Sequence, residues 1–459
     1  MTVSQPSRLT LWRDITPYPY PLIKPHYKSP HILVIGAGVT GLIVSWVLLD
    51  KGYNVTVLSK DWTSFEQGKR LTSQIAGALW EYPPAVCGLH TDAVSLQHAK
   101  EWSMIAYHIW DGIASVPELG EAAGVRMKQS AFFFPKPVEE DPDQHEKMLE
   151  IIASGVRGFV RSPEILEKRG VGHGYDAVDA YEFMAPVIDT DKAMQWLMTL
   201  VRGKGARYIT GTIDDDLVNV EGALAAQFNA DAIVNASGLQ SYHLAGDKTC
   251  YPLRGGLIRV INDGSDFPKV NTAMAISADA AHSENEFVFL LPRNDNTLVM
   301  GGFAEPHEWE LNLTLDSPVV KKMRERCEAF LPVLKIARLD PEYPFAQGLR
   351  PSREQNVRVE RESRRAGSRI VHSYGHGGSG WSFSFGCAQD VAMLVDEISK
   401  DLPPKSRSGR PYFGRADFIA VRKKNSITDN GDQKTLPASW DTFNPDFWLI
   451  EPSPEGRKR

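Results

Sequence analysis

Three stretches of this 459-residue chain hold residue types suited to anions and flat rings. The first is Gly36-Ala37-Gly38-Val39-Thr40-Gly41. At this spacing the first glycine permits a tight turn and the second lets backbone approach a pyrophosphate. The third lets a helix pack closely on the strand before it. Unpaired N–H groups at the start of that helix then face the phosphates. The second stretch is Gly375-His376-Gly377-Gly378-Ser379-Gly380. So much glycine costs backbone entropy. The cost has a purpose if main chain must lie against a flat ring and offer N–H groups to its carbonyl end. The third is Arg350, in Gly348-Leu349-Arg350-Pro351. Its guanidinium is always charged and presents a planar fork that fits a carboxylate through two hydrogen bonds. Read alone, an arginine is more often half of a structural salt bridge, and that alternative stands at this point.

The elements around these stretches follow from apolar patterning. HILVIGAG reads as a buried strand ending in glycine, Leu42, Trp46 and Leu49 recur at helical spacing, and NVTVLS alternates as a strand. Strand, helix and strand make a βαβ unit, the context that a dinucleotide-binding glycine pattern requires. After its second strand come Ser59-Lys60-Asp61. Lys60 would suit a 2′-phosphate and Asp61 a ribose hydroxyl, and a merely solvated strand end is the third option. That position does not decide. The second glycine cluster does, because a nicotinamide enzyme has no need of it, whereas a flavin ring extends beyond the pyrophosphate and needs backbone beside it. DAIVNASG reads as a further buried strand, YPLRGGLIRVI, NEFVFLLPR and TLVMGGF as strands of an antiparallel sheet, and SPVVKKMRERCEAFLPVL as a helix. RIVHSYG before the second cluster reads as a strand, and Ala388, Val391, Leu394 or Val395, and Ile398 after it share one face of a helix. VEEDPDQHEK reads as an acidic loop and IDDD at 213–216 as a solvated turn.

Bulk properties exclude several classes. A net charge of −6 argues against nucleic-acid binding, and no apolar run approaches the length of a membrane span. Cys87, Cys250, Cys327 and Cys387 show no paired spacing, and the histidines, among them His90, His98, His108 and His145, show no HxH or HExxH pattern, so no metal is expected. The first thirty residues lack the layout of a signal peptide, and EGRKR at the end is not an SKL-type tripeptide. A cytoplasmic protein is the expectation, with a peroxisomal location left open.

The motifs HILVIGAGVTGL, VTVLSKD, TSQIAGALWEYPP, DAIVNASG, PLRGGLIRV, GLRPSREQNVRVERE and HSYGHGGSGW occur in the order found in the D-amino-acid oxidase family, which includes D-aspartate oxidase. The resemblance runs from about residue 31 to 398. It implies FAD as cofactor, with Gly36, Ala37, Gly38, Val39 and Gly41 on the pyrophosphate loop and Lys60 and Asp61 at the adenosine ribose. Thr72, Ser73, Ala76, Gly77 and Leu79 would lie along the cofactor, and Ser237 and Gly238 at the end of a third strand. Gly375, Gly377, Gly378, Gly380 and Ser382 would surround the ring. It also implies that Arg350 grips the substrate carboxylate and that the Gly378 carbonyl accepts a hydrogen bond from the substrate amine.

Three positions depart from or add to that pattern. Phe289 stands where the family has a tyrosine whose hydroxyl also touches the carboxylate, so roughly 1 kcal/mol of binding is missing. Glu81 stands where the family usually has an uncharged residue; it would pair with a cationic substrate side chain, or is a structural salt bridge or an exposed charge, the alternative favoured here. Trp381 is either a cavity wall or core.

The expected fold is α/β. A Rossmann-type FAD-binding domain, discontinuous over 31–110, 195–245 and 345–400, joins a second α+β domain with a mixed or antiparallel sheet over 111–194 and 246–344. A proline-rich arm (1–30) and a tail (401–459) flank them. The expected function is FAD-dependent oxidation of the C–N bond of a D-amino acid or related carboxylate-bearing amine, by hydride transfer to flavin N5 and reoxidation by O2 to H2O2. Two alternatives are a specialised, secondary-metabolite amine as substrate, and a flavoprotein without catalysis. Stereochemistry, side-chain preference and oligomeric state are not legible.

Overall fold

The computed structural model describes residues 9–12, 15–66, 68–84, 91–172, 175, 177–276 and 285–403. Cys87, His90, the first eight residues and the chain from 404 onward, including most of the expected tail, lie outside these.

Strand β1 (His31–Ile35) is buried from its second residue on, helix α1 (Val39–Asp50) follows at once, and β2 (Asn54–Ser59) returns parallel to β1. On its other side β1 pairs in parallel with Ala232–Asn235, and that strand with Ile370–Tyr374. Arg207–Thr210 extends the sheet beyond β2, and Arg358–Arg361 closes the far edge antiparallel, giving six strands. The central strands are near-continuous apolar runs because helices cover both faces of a parallel sheet. One face packs against α1, Ala93–Ala114, Thr190–Gly203 and Gly380–Ser399 in the largest hydrophobic core, and the other against Leu217–Phe228. The expected stripe of Ala388, Val391, Leu394, Val395 and Ile398 is buried. Residues 381–392 are in addition buried all round, because the helix is wedged between α1 and Ala93–Ala114.

The second sheet has nine strands. It is antiparallel except where Val125–Phe134 runs parallel to Ala273–Ile276, and the helix Pro318–Phe330 packs on it. Its longest strand, Cys250–Ile261, pairs over nine residues with Phe345–Arg353. This corrects the expected division of the chain at 345. The strand carrying Arg350 belongs to the second sheet, because Ala346 and Ser352 are buried against it in β-alternation.

One further expectation changes. The stretch from Asp141 is a helix, Pro142–Ser154, since Asp141 caps it by accepting from Gln144 N–H at 3.2 Å and proline occupies the first turn. The described part of the N-terminal arm packs on the protein. Leu11, Trp12 and Ile15 are buried in the largest core. Asp50, at the end of α1, accepts from Thr16 N–H at 2.9 Å, Leu22 N–H at 3.1 Å and the buried Lys204 Nζ at 2.7 Å. A buried carboxylate is tolerable only when so fully bonded.

Candidate active site

A cavity of about 610 Å³ is lined by residues of both sheets. From the six-stranded side it receives the α1 entry loop. Gly36 has φ +109°, and a Cβ there would lie 2.4 Å from the Ala236 carbonyl oxygen. A Cβ on Gly41 would lie 1.9 Å from Gly36 O. Gly36, Ala37, Gly38 and Val39 line the cavity, whereas Gly41 does not, and serves the close packing of α1 on the loop. Gly38 is an extended N-cap without a side chain and the first turn of α1 carries no acid, which suits an anion there, although the Val39 N–H donates to Ser73 Oγ at 3.0 Å.

Lys60 and Asp61 line the end beyond β2 together with Ile213 and Asp214, from a turn that leaves Asp214 and Asp215 exposed as expected. Gly211 N–H donates to Ser59 O at 3.1 Å, which brings the two segments together. Ser237 and Gly238 line the middle. The segment with Thr72, Ser73, Ala76, Gly77 and Leu79 forms one long wall. Sequence reasoning missed what holds it. Arg293, buried, donates through Nη2 to Ala76 O, and buried Gln74 donates through Nε2 to Ser64 O and Asp191 Oδ1, both at 2.9 Å. Burial pushes the Arg293 guanidinium down to about 10. Only the arginine of LLPR itself hinted at this.

The glycine cluster faces that wall. Gly377, Gly378, Gly380, Ser382 and Trp381 line the cavity, and Trp381 Nε1 donates to Ser73 O at 2.9 Å, joining the two. Gly375 does not line it; its φ of +80° turns the chain where a Cβ would meet Arg353 Cδ at 2.4 Å. His376, not singled out from the sequence, also lines the cavity, and burial pushes its imidazole down to about 4, so it is neutral.

At the second-sheet end, Arg350 lines the cavity. Its Nη1 donates to Phe303 O at 3.3 Å, and among the described residues it has no carboxylate partner. Gly255 makes room for it, because a Cβ there would sit 2.3 Å from Nη1. Among the described residues no salt bridge accounts for Arg350. One does account for Glu81. Glu81 reaches the cavity wall, but its Oε1 accepts from Lys147 Nζ at 2.8 Å, and Lys147 is only 5% exposed. The carboxylate answers a protein cation, which removes the expected role toward a cationic substrate. Phe289 lies over Gly77, where a Cβ would be 2.4 Å from its Cζ, and with Phe287, Leu257 and Ile276 it makes this end apolar.

The cavity fits FAD. A glycine loop and an acid-free helix start suit a pyrophosphate, a glycine cluster suits a ring, and the volume suits a buried cofactor. Among the described residues no group of three or more His, Cys, Asp or Glu could hold a metal ion, and no helix is long and apolar enough to cross a membrane.

Residues 31–394 match the family model described as FAD dependent oxidoreductase. The chain is 30% identical to a D-amino-acid oxidase of Rubrobacter xylanophilus over 365 residues, 79% of this chain and 95% of that one. A D-amino-acid oxidase of Dictyostelium discoideum is 29% identical over 80% of this chain and 92% of its own length. Among solved structures, glycine oxidase from Geobacillus kaustophilus superposes with a TM-score of 0.61 at 16% identity, over 85% of this chain and 98% of that one. Glycine oxidase from Bacillus cereus gives 0.58 at 18%, over 80% and 95%.

Proposed function

The chain belongs to the FAD dependent oxidoreductase family, and from that premise we propose that it oxidises the C–N bond of an α-amino acid or related amine bearing a carboxylate. The observation that carries this reading is Arg350, a cavity guanidinium that has no counter-ion among the described residues. Bound FAD would supply the two-electron oxidation, with O2 as final acceptor and H2O2 as product. The protein's part is binding and orientation. Arg350 holds the carboxylate by its fork, and the Gly378 carbonyl accepts from the amine, so that the Cα–H between them is directed at the ring. Trp381 and the Thr72–Ile75 segment fix the ring's wall. Phe287, Phe289 and Leu257 exclude water and favour an uncharged substrate side chain. No acid or base is assigned, since an amine that enters neutral needs none. The D hand is supported by the names of the curated relatives.

Anaerobic bleaching of the bound flavin's visible band tests this, with D- and L-amino acids grouped as acidic, basic, small and aromatic, then with simple amines. Bleaching by neutral D-amino acids, lost on Arg350→Ala with FAD retained, is the expected result. Normal reduction of the Arg350→Ala variant would overturn the site. Flavin that no amine reduces would point to a flavoprotein without this catalysis. Phe289 favours a second reading, a bulkier specialised amine, which bleaching by such amines alone would select.

A further inference from the structure

Behind the cavity runs a buried polar chain that the reaction does not use. Asn235, His372 and Ser241 have no exposed surface, and the Glu362 side chain is likewise fully enclosed. The proton positions in this chain follow from one fixed donor. Ser237 N–H can only donate, and it points at Asn235 Oδ1 at 3.2 Å, so the amide oxygen faces Ser237. The Asn235 NH2 must then face the other way, toward Ser241 Oγ at 3.2 Å and His372 Nδ1 at 3.3 Å. His372 Nδ1 therefore accepts, and its proton sits on Nε2, which donates to Glu362 Oε2 at 3.1 Å. Glu362 is held as a carboxylate by Arg364, whose Nη2 lies 2.6 Å from Oε2. Arg364 Nη1 also reaches Asp216 Oδ2 at 2.7 Å, at the surface.

Both ends of this chain touch segments that line the cavity. At one end Ser237 Oγ donates to Asn235 Oδ1 at 2.7 Å, and the Ala236–Ser237 backbone lies directly on Gly36. At the other end Asp216 caps Leu217–Phe228, two residues after Asp214.

We propose that His372 is a positioning residue for FAD. With Glu362 behind it, the imidazole sets the orientation of the Asn235 amide, and the amide sets the Ser237–Gly238 turn against the pyrophosphate loop. This rests on FAD binding and is independent of the substrate reading, so either can fail alone. Its requirement is one donor and one acceptor on opposite sides of the side chain, which glutamine offers and leucine does not.

The test is the rate of FAD release from the holoenzyme on dilution, followed by flavin fluorescence. His372→Leu should release FAD at least tenfold faster, and His372→Gln should stay within threefold of the parent. Release from His372→Leu at the parental rate would overturn the proposal. So would equal loss in both variants, which would mean that only packing matters. Asn235→Asp decides the matter should His372→Leu not fold. It puts an acceptor against Nδ1, so the ring can satisfy both neighbours only by taking a second proton. The charged groups acting on the ring are Glu362, Glu360 and Arg358. FAD release from Asn235→Asp should therefore quicken as pH rises from about 6 to about 9, as the imidazole loses that proton. A pH-independent release at the parental rate would overturn the relay.

Discussion

The two ends of the cavity are built on opposite principles. At the six-stranded end the contact surface is backbone. Gly36, Gly38, Gly377 and Gly378 bring main chain to the cavity, and the polar groups behind them are paired, from Asn235 through His372 to Glu362. At the second-sheet end the surface is side chain, mostly apolar, with Arg350 left without a carboxylate among the described residues. Glu81 and Arg350 make the contrast sharpest. Both are charged and both line the cavity, yet Glu81 has its counter-ion in Lys147 and Arg350 has none among the described residues. Removing a charge from water costs free energy that only a partner returns. A protein keeps an uncompensated guanidinium in an apolar pocket when a ligand supplies the partner. On the proposed reading, the first end recognises one constant cofactor by shape, and the second a variable substrate by one fixed charge.

The contrast can be broken most forcefully at Arg350. Arg350→Ala should lower kcat/KM for carboxylate-bearing amines about a thousandfold, about 4 kcal/mol, with flavin content unchanged. Steady-state kinetics beside the visible spectrum of the purified variant would show it, and loss of flavin would blur the division between the two ends. Gly41→Ala should act on the other end. It forces a methyl onto Gly36 O and should cost about 3 kcal/mol, read as weaker FAD retention with substrate KM unchanged in the remaining holoenzyme. Glu81→Gln should be a stability variant. It leaves the buried Lys147 without a counter-charge and should lose about 2 kcal/mol, seen as a lower thermal midpoint, while the ratio of rates on basic and neutral substrates stays put. A selective loss on basic substrates would instead return Glu81 to the binding site. The smallest effect is expected of Phe289→Tyr, which offers the carboxylate a second donor and should tighten substrate KM by about fivefold, about 1 kcal/mol.

The first end was largely legible because its signals are local. A turn, a close approach and a helix start each need glycine at fixed spacing, and one βαβ unit contains them all. The signal blurs where packing across the chain decides. IDDD reads as solvent-facing by composition, and Asp214 and Asp215 are exposed, but its place at the cavity mouth comes from the strand Arg207–Thr210 lying beside β2. The arm reads as an extended proline-rich segment, and what its sequence does not show is that Asp50 and Lys204 hold its backbone. Phe345–Arg353 follows the helical region in sequence, but nine residues of pairing draw it into the second sheet.

Residue types and spacing alone were enough for the βαβ unit, the dinucleotide loop, the second glycine cluster and an arginine competent to hold a carboxylate. These depend on interactions within a few residues along the chain. Only tertiary structure could separate Arg350 from Glu81, since whether a charge is paired depends on which side chain arrives from elsewhere. Lys147 is sixty-six residues from Glu81 in sequence and 2.8 Å from it in space. The same holds for His372, whose hydrogen-bond partner Asn235 comes from another strand, 137 residues away along the chain. Charge pairing and proton placement are decided by neighbours in space, and those neighbours are assembled only by the fold.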